Sequence, residues 1–423
     1  MTFTAQRRLL IHNTTTLFGA QAVSLVVPLL TVPYLARTLR PSGWASVLVA
    51  QALGNWLVLL IEYGFDLSGT RAVARARIAH GTMAEVIAGI QGAKILLVPV
   101  AAIIVLAALF ELPGLRGEGE LLAWTLAFAA FRGLSPLWYF QGVERVKAAA
   151  TVDSAMKASA ALGVFAIVHA PQDGWRVLAL QAVFAAMSLG VLTFWMARDA
   201  VLQAPTMIGS LTTLRRSLSV FGVRAASGFY VQANTIILAA LTNVAAVSFF
   251  GGAERIIRAS INLFQPLTQA FLPRLSYLSV AEPARARRTI ERCLVLVGGL
   301  GALFSLVAFV GAPMLTSILL GPGYERAVPV LRTLAVLPLL VAVDTVLGLY
   351  WAVPFGHERA FLLAVIGAGT TNIALALLLV PRWGAVGMAI AVVVAEATVL
   401  VTLSALYIRR RVAFALPSVM AAS

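Results

Sequence analysis

The 423-residue chain is 60% hydrophobic and only 12% charged, with a mean hydropathy of +0.92. About a quarter of the residues in a soluble domain are charged, so this composition excludes a water-soluble globular enzyme and makes lipid the solvent. The formal net charge of +15 reflects, in a chain this apolar, anchoring at a cytoplasmic membrane face and not a nucleic-acid partner.

The apolar segments run continuously and do not alternate with period two, so helices are the expected spanning form. A span needs about 20 apolar residues, and twelve such segments can be marked, near 9–36, 43–64, 84–110, 121–141, 148–169, 176–196, 217–241, 245–273, 293–320, 327–352, 359–380 and 384–408. At the start, Arg7 and Arg8 precede an apolar run that continues to Leu35. That run is too long for the apolar region of a signal peptide, so it reads as a retained first helix. A polar stretch near 197–216 follows the sixth segment, mixing Arg198, Asp199, Arg215 and Arg216 with Val201, Leu202, Met207, Ile208 and Leu211. Such a mixture suits an interfacial connector.

The expected fold class is therefore an all-α polytopic membrane protein of about twelve transmembrane helices in two six-helix lobes. Residues 1–200 would form the N-terminal lobe, 201–216 a cytoplasmic interfacial linker and 217–423 the C-terminal lobe. Faint echoes, such as Phe18-Gly19 and Phe221-Gly222 early in each half, fit a pseudo-two-fold repeat, a common transporter plan. With the N-terminus in the cytoplasm, that side receives Arg71, Arg75, Arg77, Arg145, Lys147, Arg285, Arg287, Arg288, Arg409, Arg410 and Arg411, among others. The opposite side receives only Arg37, Arg40, Arg116, Arg176, Arg326 and Arg382. The positive-inside rule then puts both termini in the cytoplasm of a multi-pass inner-membrane protein. The outer loops are all short, which leaves no room for an extracytoplasmic catalytic domain.

Catalytic and metal signals are missing from the sequence. Cys293 is the single cysteine, the four histidines (His12, His80, His169, His357) are scattered, and no zinc-protease, nucleophile-elbow or P-loop pattern occurs. No catalytic residue, metal site or cofactor is expected.

Charges within the spans are the functional candidates, because a charge at mid-membrane is costly and should face water or a partner. Arg255, Arg258, Asn262, Gln265 and Gln269 are spaced 3, 4, 3 and 4 in the eighth segment, which would align them on one face of a continuous helix. Glu254, four residues before Arg258, is placed to pair with it, and Arg224, Arg132 and Lys94 also fall inside spans. With few carboxylates nearby, these cations point to an anionic cargo, since guanidinium forks match phosphate oxygens. The competing reading is that such cations bind helix-end carbonyls or snorkel to an interface. Asp344 and Glu396 are the candidate carboxyls for coupling to H+ or Na+, against a plainer role as neutral groups hydrogen-bonded between helices.

Four stretches carry a family resemblance: PLLTVPYLARTL (28–39) with EYGFDLSGTR (62–71), SPLWYFQGVER (135–145), FFGGAERIIR (249–258) running on to Pro266, Pro273 and Arg274, and Gly348 through Arg359. Their order and spacing resemble the polysaccharide/oligosaccharide (O-antigen, Wzx-type) flippase family of the multidrug/oligosaccharidyl-lipid/polysaccharide exporter superfamily. The resemblance implies two lobes, alternating access and an undecaprenyl-diphosphate-linked oligosaccharide as cargo, flipped from the cytoplasmic to the periplasmic leaflet. It also implies membrane lipids as partners and admits a polysaccharide polymerase and other assembly proteins. The rival readings are a lipid II-type or other lipid flippase, a drug/cation antiporter of the same superfamily, and a membrane polysaccharide polymerase or ligase. An antiporter for cationic drugs calls for carboxylates outnumbering arginines. A polymerase calls for a large periplasmic loop.

Overall fold

A computed structural model describes residues 3–78, 83–112 and 115–413, with backbone alone for 3–29, 225–232 and a few further helical positions. Among the described residues there is no strand. The chain forms two compact units, 1–245 and 246–423.

Unit 1 begins with α1 (Phe3–Glu62), α2 (Phe65–Ile78) and α3 (Met83–Glu111). It continues through α4 (Gly119–Gly133), α5 (Leu137–Gly142), α6 (Val146–Ile167), a 3-10 turn at Pro171–Asp173 and α7 (Gly174–Asp199), and ends with α8 (Met207–Leu241). Helix α4 packs against α7 and α1, α6 against α7, and α8 against α3 and α1. Helix α1 is broken at Arg40 (φ 59, ψ 171). The next residue is Pro41, which pushes its predecessor to an extended ψ.

The stretch expected to be an interfacial linker divides in two. Residues 201–206 are irregular, and 207–216 already form the first turns of α8. The Thr206 hydroxyl accepts the Gly209 amide at 3.2 Å, which satisfies one of the helix's orphan donors.

Unit 2 holds α9 (Val244–Asn262), which starts at the end of unit 1, then α10 (Gln265–Ala281), α11 (Pro283–Val310), α12 (Ala312–Leu319), α13 (Ala327–Leu334), α14 (Leu337–Thr345) and α15 (Glu358–Ala413). Val346–Ala352, between α14 and α15, is π-helical. Helix α15 breaks at Gly384 (φ 53, ψ −127). Gly387 then lies against the Leu379 carbonyl, closer than any Cβ could approach. Eight residues of straight helix would separate those positions by about 12 Å, so the chain reverses there.

Burial in α11 is inverted relative to a soluble helix. Large Val295, Leu303, Leu306 and Phe309 are exposed, while Gly298, Gly301 and Ala308 are buried. A Cβ on Gly301 would fall 2.7 Å from the Ala342 Cβ and 2.8 Å from the Pro338 oxygen. Small residues thus let α11 and α14 approach closely while lipid receives the bulky ones.

Eight stretches among the described residues are long and apolar enough to cross a membrane. Two of them, Leu30–Arg77 and Glu358–Arg410, have 48 and 53 residues. That is about twice what one span requires, and each contains one of the two breaks. Counted as two passes each, and with α8 and the α9–α10 pair added, they give the twelve helical passes expected from the sequence.

Candidate functional site

The interior cations of unit 1 are engaged by the fold. Lys94, buried in α3, donates from Nζ to the Ser135 carbonyl at 3.0 Å and lies 6.0 Å from the centre of the Trp138 ring. Ser135 lies in the corner between α4 and α5, where the next helix's Tyr139 amide bonds to the Pro136 carbonyl, and its own carbonyl accepts the ammonium. Lys94 therefore ties α3 to the α4–α5 corner.

Arg132, at the end of α4, forms an ion pair with Asp153 of α6. Asp153 is buried and also receives Lys157 at 2.9 Å, with the Ser188 hydroxyl of α7 at 3.5 Å. One carboxylate thereby gathers α4, α6 and α7. Arg224 of α8 pairs with Asp66 of α2. Asp66, Lys94, Arg132 and Arg224 all lie within electrostatic reach of Glu62, so the inner part of unit 1 is a mixed-charge cluster.

In unit 2, Arg258 is half-exposed and donates to Glu254 one turn earlier, through Nε at 3.0 Å and Nη2 at 2.8 Å. Arg255 is half-buried, with Glu254 beside it. Asn262 is exposed at the end of α9, while Phe250, Ala253 and Ile257 are buried on the other side. Arg255, Arg258 and Asn262 fall within about 60° around the helix at about 100° per residue, and so form one polar face.

The five-residue stripe expected from spacing is interrupted. Helix α9 ends at Asn262, Leu263 and Phe264 turn, and α10 starts at Gln265. Pro266 in the first turn of α10 explains the break, because it lacks an amide donor and clashes with a preceding helical turn. The side chains of Gln265 and Gln269 lie outside the described residues.

Asp344 is buried in α14, and neither carboxyl oxygen has a hydrogen-bond partner. Glu396 of α15 lies within its electrostatic reach. Asn372 of α15 is fully buried, also with no partner for its amide atoms. Unpartnered buried polar atoms are costly, so unit 2 carries a polar interior that packing alone does not account for. Among the described residues no cluster of histidine, cysteine and carboxylate groups could hold a metal ion.

The sequence reading missed the partners of Arg132 and Arg224. Asp153, seven residues inside α6, was a legible signal, since a carboxylate at that depth needs a counter-charge. Asp66 is the other; the Glu254–Arg258 pair, by contrast, is the one its i, i+4 spacing offers in the sequence. The few-carboxylates argument for an anionic cargo is corrected accordingly: Arg132, Arg224 and Arg258 each have a carboxylate in contact.

These features define an integral, polytopic, all-helical membrane protein. The same fold is seen in "Lipid II flippase MurJ, inward closed conformation", with a TM-score of 0.71 at 10% identity, covering 93% of this chain and 86% of that one. An inward-facing "multidrug resistance MATE family transporter of the MOP superfamily" gives 0.64 at 14% identity, covering 93% and 94%.

The family model "Polysaccharide biosynthesis protein" matches residues 10–279, and the chain belongs to that family. Two curated relatives are both described as "Putative O-antigen transporter". The one from Escherichia coli (strain K12) is 28% identical, over 92% of this chain and 94% of its own length. The one from Shigella dysenteriae is 27% identical, over 91% and 96%. The protein is a transporter and not an enzyme.

Proposed function

We propose that the protein flips an undecaprenyl-diphosphate-linked oligosaccharide repeat unit from the cytoplasmic to the periplasmic leaflet, by alternating access, for O-antigen or exopolysaccharide synthesis. Similarity to relatives named as O-antigen transporters, over nearly the whole of both chains, carries this reading. The α9 face of unit 2 supplies the chemistry. Arg255 and Arg258 neutralise the diphosphate, and Asn262 offers hydrogen bonds to the attached sugar. Glu254 orients the Arg258 guanidinium through Nε and Nη2, and a guanidinium fork matches phosphate oxygens.

Lys94, Arg132 and Arg224 then have a positioning task in unit 1, given the partners they already hold. Asp344, with Glu396 beside it, is the proposed coupling carboxyl for H+ or Na+. The positive-inside bias supports an inner-membrane location with both termini cytoplasmic.

The test follows a fluorescent polyprenyl-diphosphate oligosaccharide between leaflets of proteoliposomes. Arg255→Ala/Arg258→Ala is expected to slow transfer by at least tenfold, the cost of about 1.4 kcal/mol for a lost charge-assisted contact. Unchanged transfer by that variant removes the proposed site, and absence of transfer by the wild type removes the cargo.

A further inference from the structure

Unit 1 contains a groove of about 1020 Å³ where α2 ends and where α3 and α8 begin. That volume is at the upper end of small-molecule sites, roughly 300–1,000 Å³. Arg71 and Arg75 reach it from α2, Arg216 from α8 and Glu85 from α3. Three guanidiniums therefore face one carboxylate. None of the three has an ion pair with a described carboxylate, in contrast to Arg132, Arg224 and Arg258.

The walls add hydroxyls from Thr206, Thr212 and Thr213. At the floor the Ser68 and Ser217 hydroxyls share a hydrogen bond at 3.1 Å. Gly89 sits so close to α8 that a Cβ would fall 2.7 Å from the Thr213 Oγ1. This is a built recess between packed helices.

The opposite face of the same turns identifies the occupant. Met207, Ile208, Leu211 and Leu218 are exposed, Ile208 at 81%, with exposed Arg215 among them. Groove residues Gly209, Thr212, Thr213 and Arg216 alternate with them at helical spacing. The start of α8 thus has an apolar side suited to acyl chains and a polar side suited to a phosphate. A free anion would need only the second. An amphiphile uses both.

We infer that this groove binds the phosphate headgroup of a membrane lipid, with the guanidiniums and threonine hydroxyls on its oxygens and the chain lying along the exposed apolar residues. The inference does not depend on the cargo proposed above.

Near a membrane surface each basic residue contributes about fivefold to anionic-lipid affinity. The experiment titrates the full-length protein in neutral detergent, by native mass spectrometry, with phosphatidylglycerol, a polyprenyl diphosphate, phosphatidylcholine and inorganic pyrophosphate. Phosphatidylglycerol or the polyprenyl diphosphate should bind, and the tighter of the two identifies the lipid source. Arg71→Gln/Arg75→Gln/Arg216→Gln should weaken that binding on the order of 100-fold, and the triple lysine variant should retain most of it. The single variants R75Q and R216Q, about fivefold each, serve if the triple variant melts early. Equal binding by the glutamine variants overturns the inference. So does phosphatidylcholine binding as tightly as phosphatidylglycerol, or pyrophosphate binding as tightly as the lipids.

Discussion

Tyr63 and Phe221 lie face to face, with ring centroids 4.3 Å apart and planes only 6° from parallel. The pair joins the α1–α2 turn to α8 across 158 residues of sequence, and the Arg224–Asp66 ion pair repeats the connection one turn further on. Two successive left-handed residues, Tyr63 (φ 47) and Gly64 (φ 73), make that turn tight enough to bring the aromatic ring onto α8. The mixed-charge cluster of unit 1 is assembled by this corner.

Gly64 is consequently sensitive to a side chain in a way that Gly356 is not. Both have positive φ, 73° and 76°, so alanine costs each about 1–2 kcal/mol of backbone strain. At Gly64 the new Cβ also meets the Val220 Cγ1 at 3.0 Å and the Phe221 nitrogen at 3.3 Å, whereas at Gly356 nothing lies within 4 Å. Gly64→Ala should lower the detergent-solubilised melting temperature more than Gly356→Ala, by the equivalent of at least about 1 kcal/mol for overpacking. Equal melting temperatures would contradict the close approach of α8.

The Arg132–Asp153 pair makes a second prediction. Asp153 is 7% exposed at its side chain and Arg132 21%, so removing Arg132 leaves that buried carboxylate to Lys157 alone. Arg132→Ala should destabilise by about 1–3 kcal/mol, the cost of one lost partner at a buried oxygen. The double variant Arg132→Ala/Asp153→Ala should be more stable than the single one, because it removes the under-paired buried carboxylate as well. A double-mutant cycle on thermal unfolding reads this coupling. Additive losses would mean that the two side chains do not interact.

Which residues were legible in the sequence follows from the range of the forces involved. Hydropathy is local, so the helical class and the twelve passes could be read directly. Positions of cations could be read too, because Arg132 and Arg224 stand out against apolar neighbours. Their partners could not, since Asp153 and Asp66 reach them through helix packing across 21 and 158 residues. The stripe from Arg255 to Gln269 was overextended because helical spacing was applied through Pro266, whose local backbone chemistry ends the helix. Sequence hydropathy also gave no sign that the first turns of α8 fold against α3, because close packing there rests on Gly89 and Gly92 lacking side chains.

His357, in the turn before α15, stacks at an angle on Trp351 with centroids 5.2 Å apart. Burial, and then the charge of Arg410, hold its imidazole below the ordinary value of 6.5. The unfolded chain therefore binds the proton more readily than the folded one. Stability is complete above pH 6.5 and declines as the pH falls through the folded-state value. Thermal unfolding of wild type and His357→Gln between pH 8 and pH 5 (about neutral to mildly acid) should diverge only on the acid side, with the variant losing less. Parallel curves would show that His357 does not sense the difference.

Asp344 should behave as a functional liability. With no partner for either buried oxygen, the carboxyl destabilises the fold by about 1–3 kcal/mol relative to a satisfied or apolar group. Asp344→Leu, with the same branch point and number of side-chain heavy atoms, should therefore raise the melting temperature, and Asp344→Asn should leave it near the wild-type value. In proteoliposomes both variants should lose any response of transport to an imposed pH or Na+ gradient while keeping slow, gradient-independent exchange. Stabilisation with loss of coupling is the expected signature of a group retained for function at the expense of stability. If Asp344→Leu melts earlier and still responds to the gradient, Asp344 is a packing residue and coupling resides elsewhere.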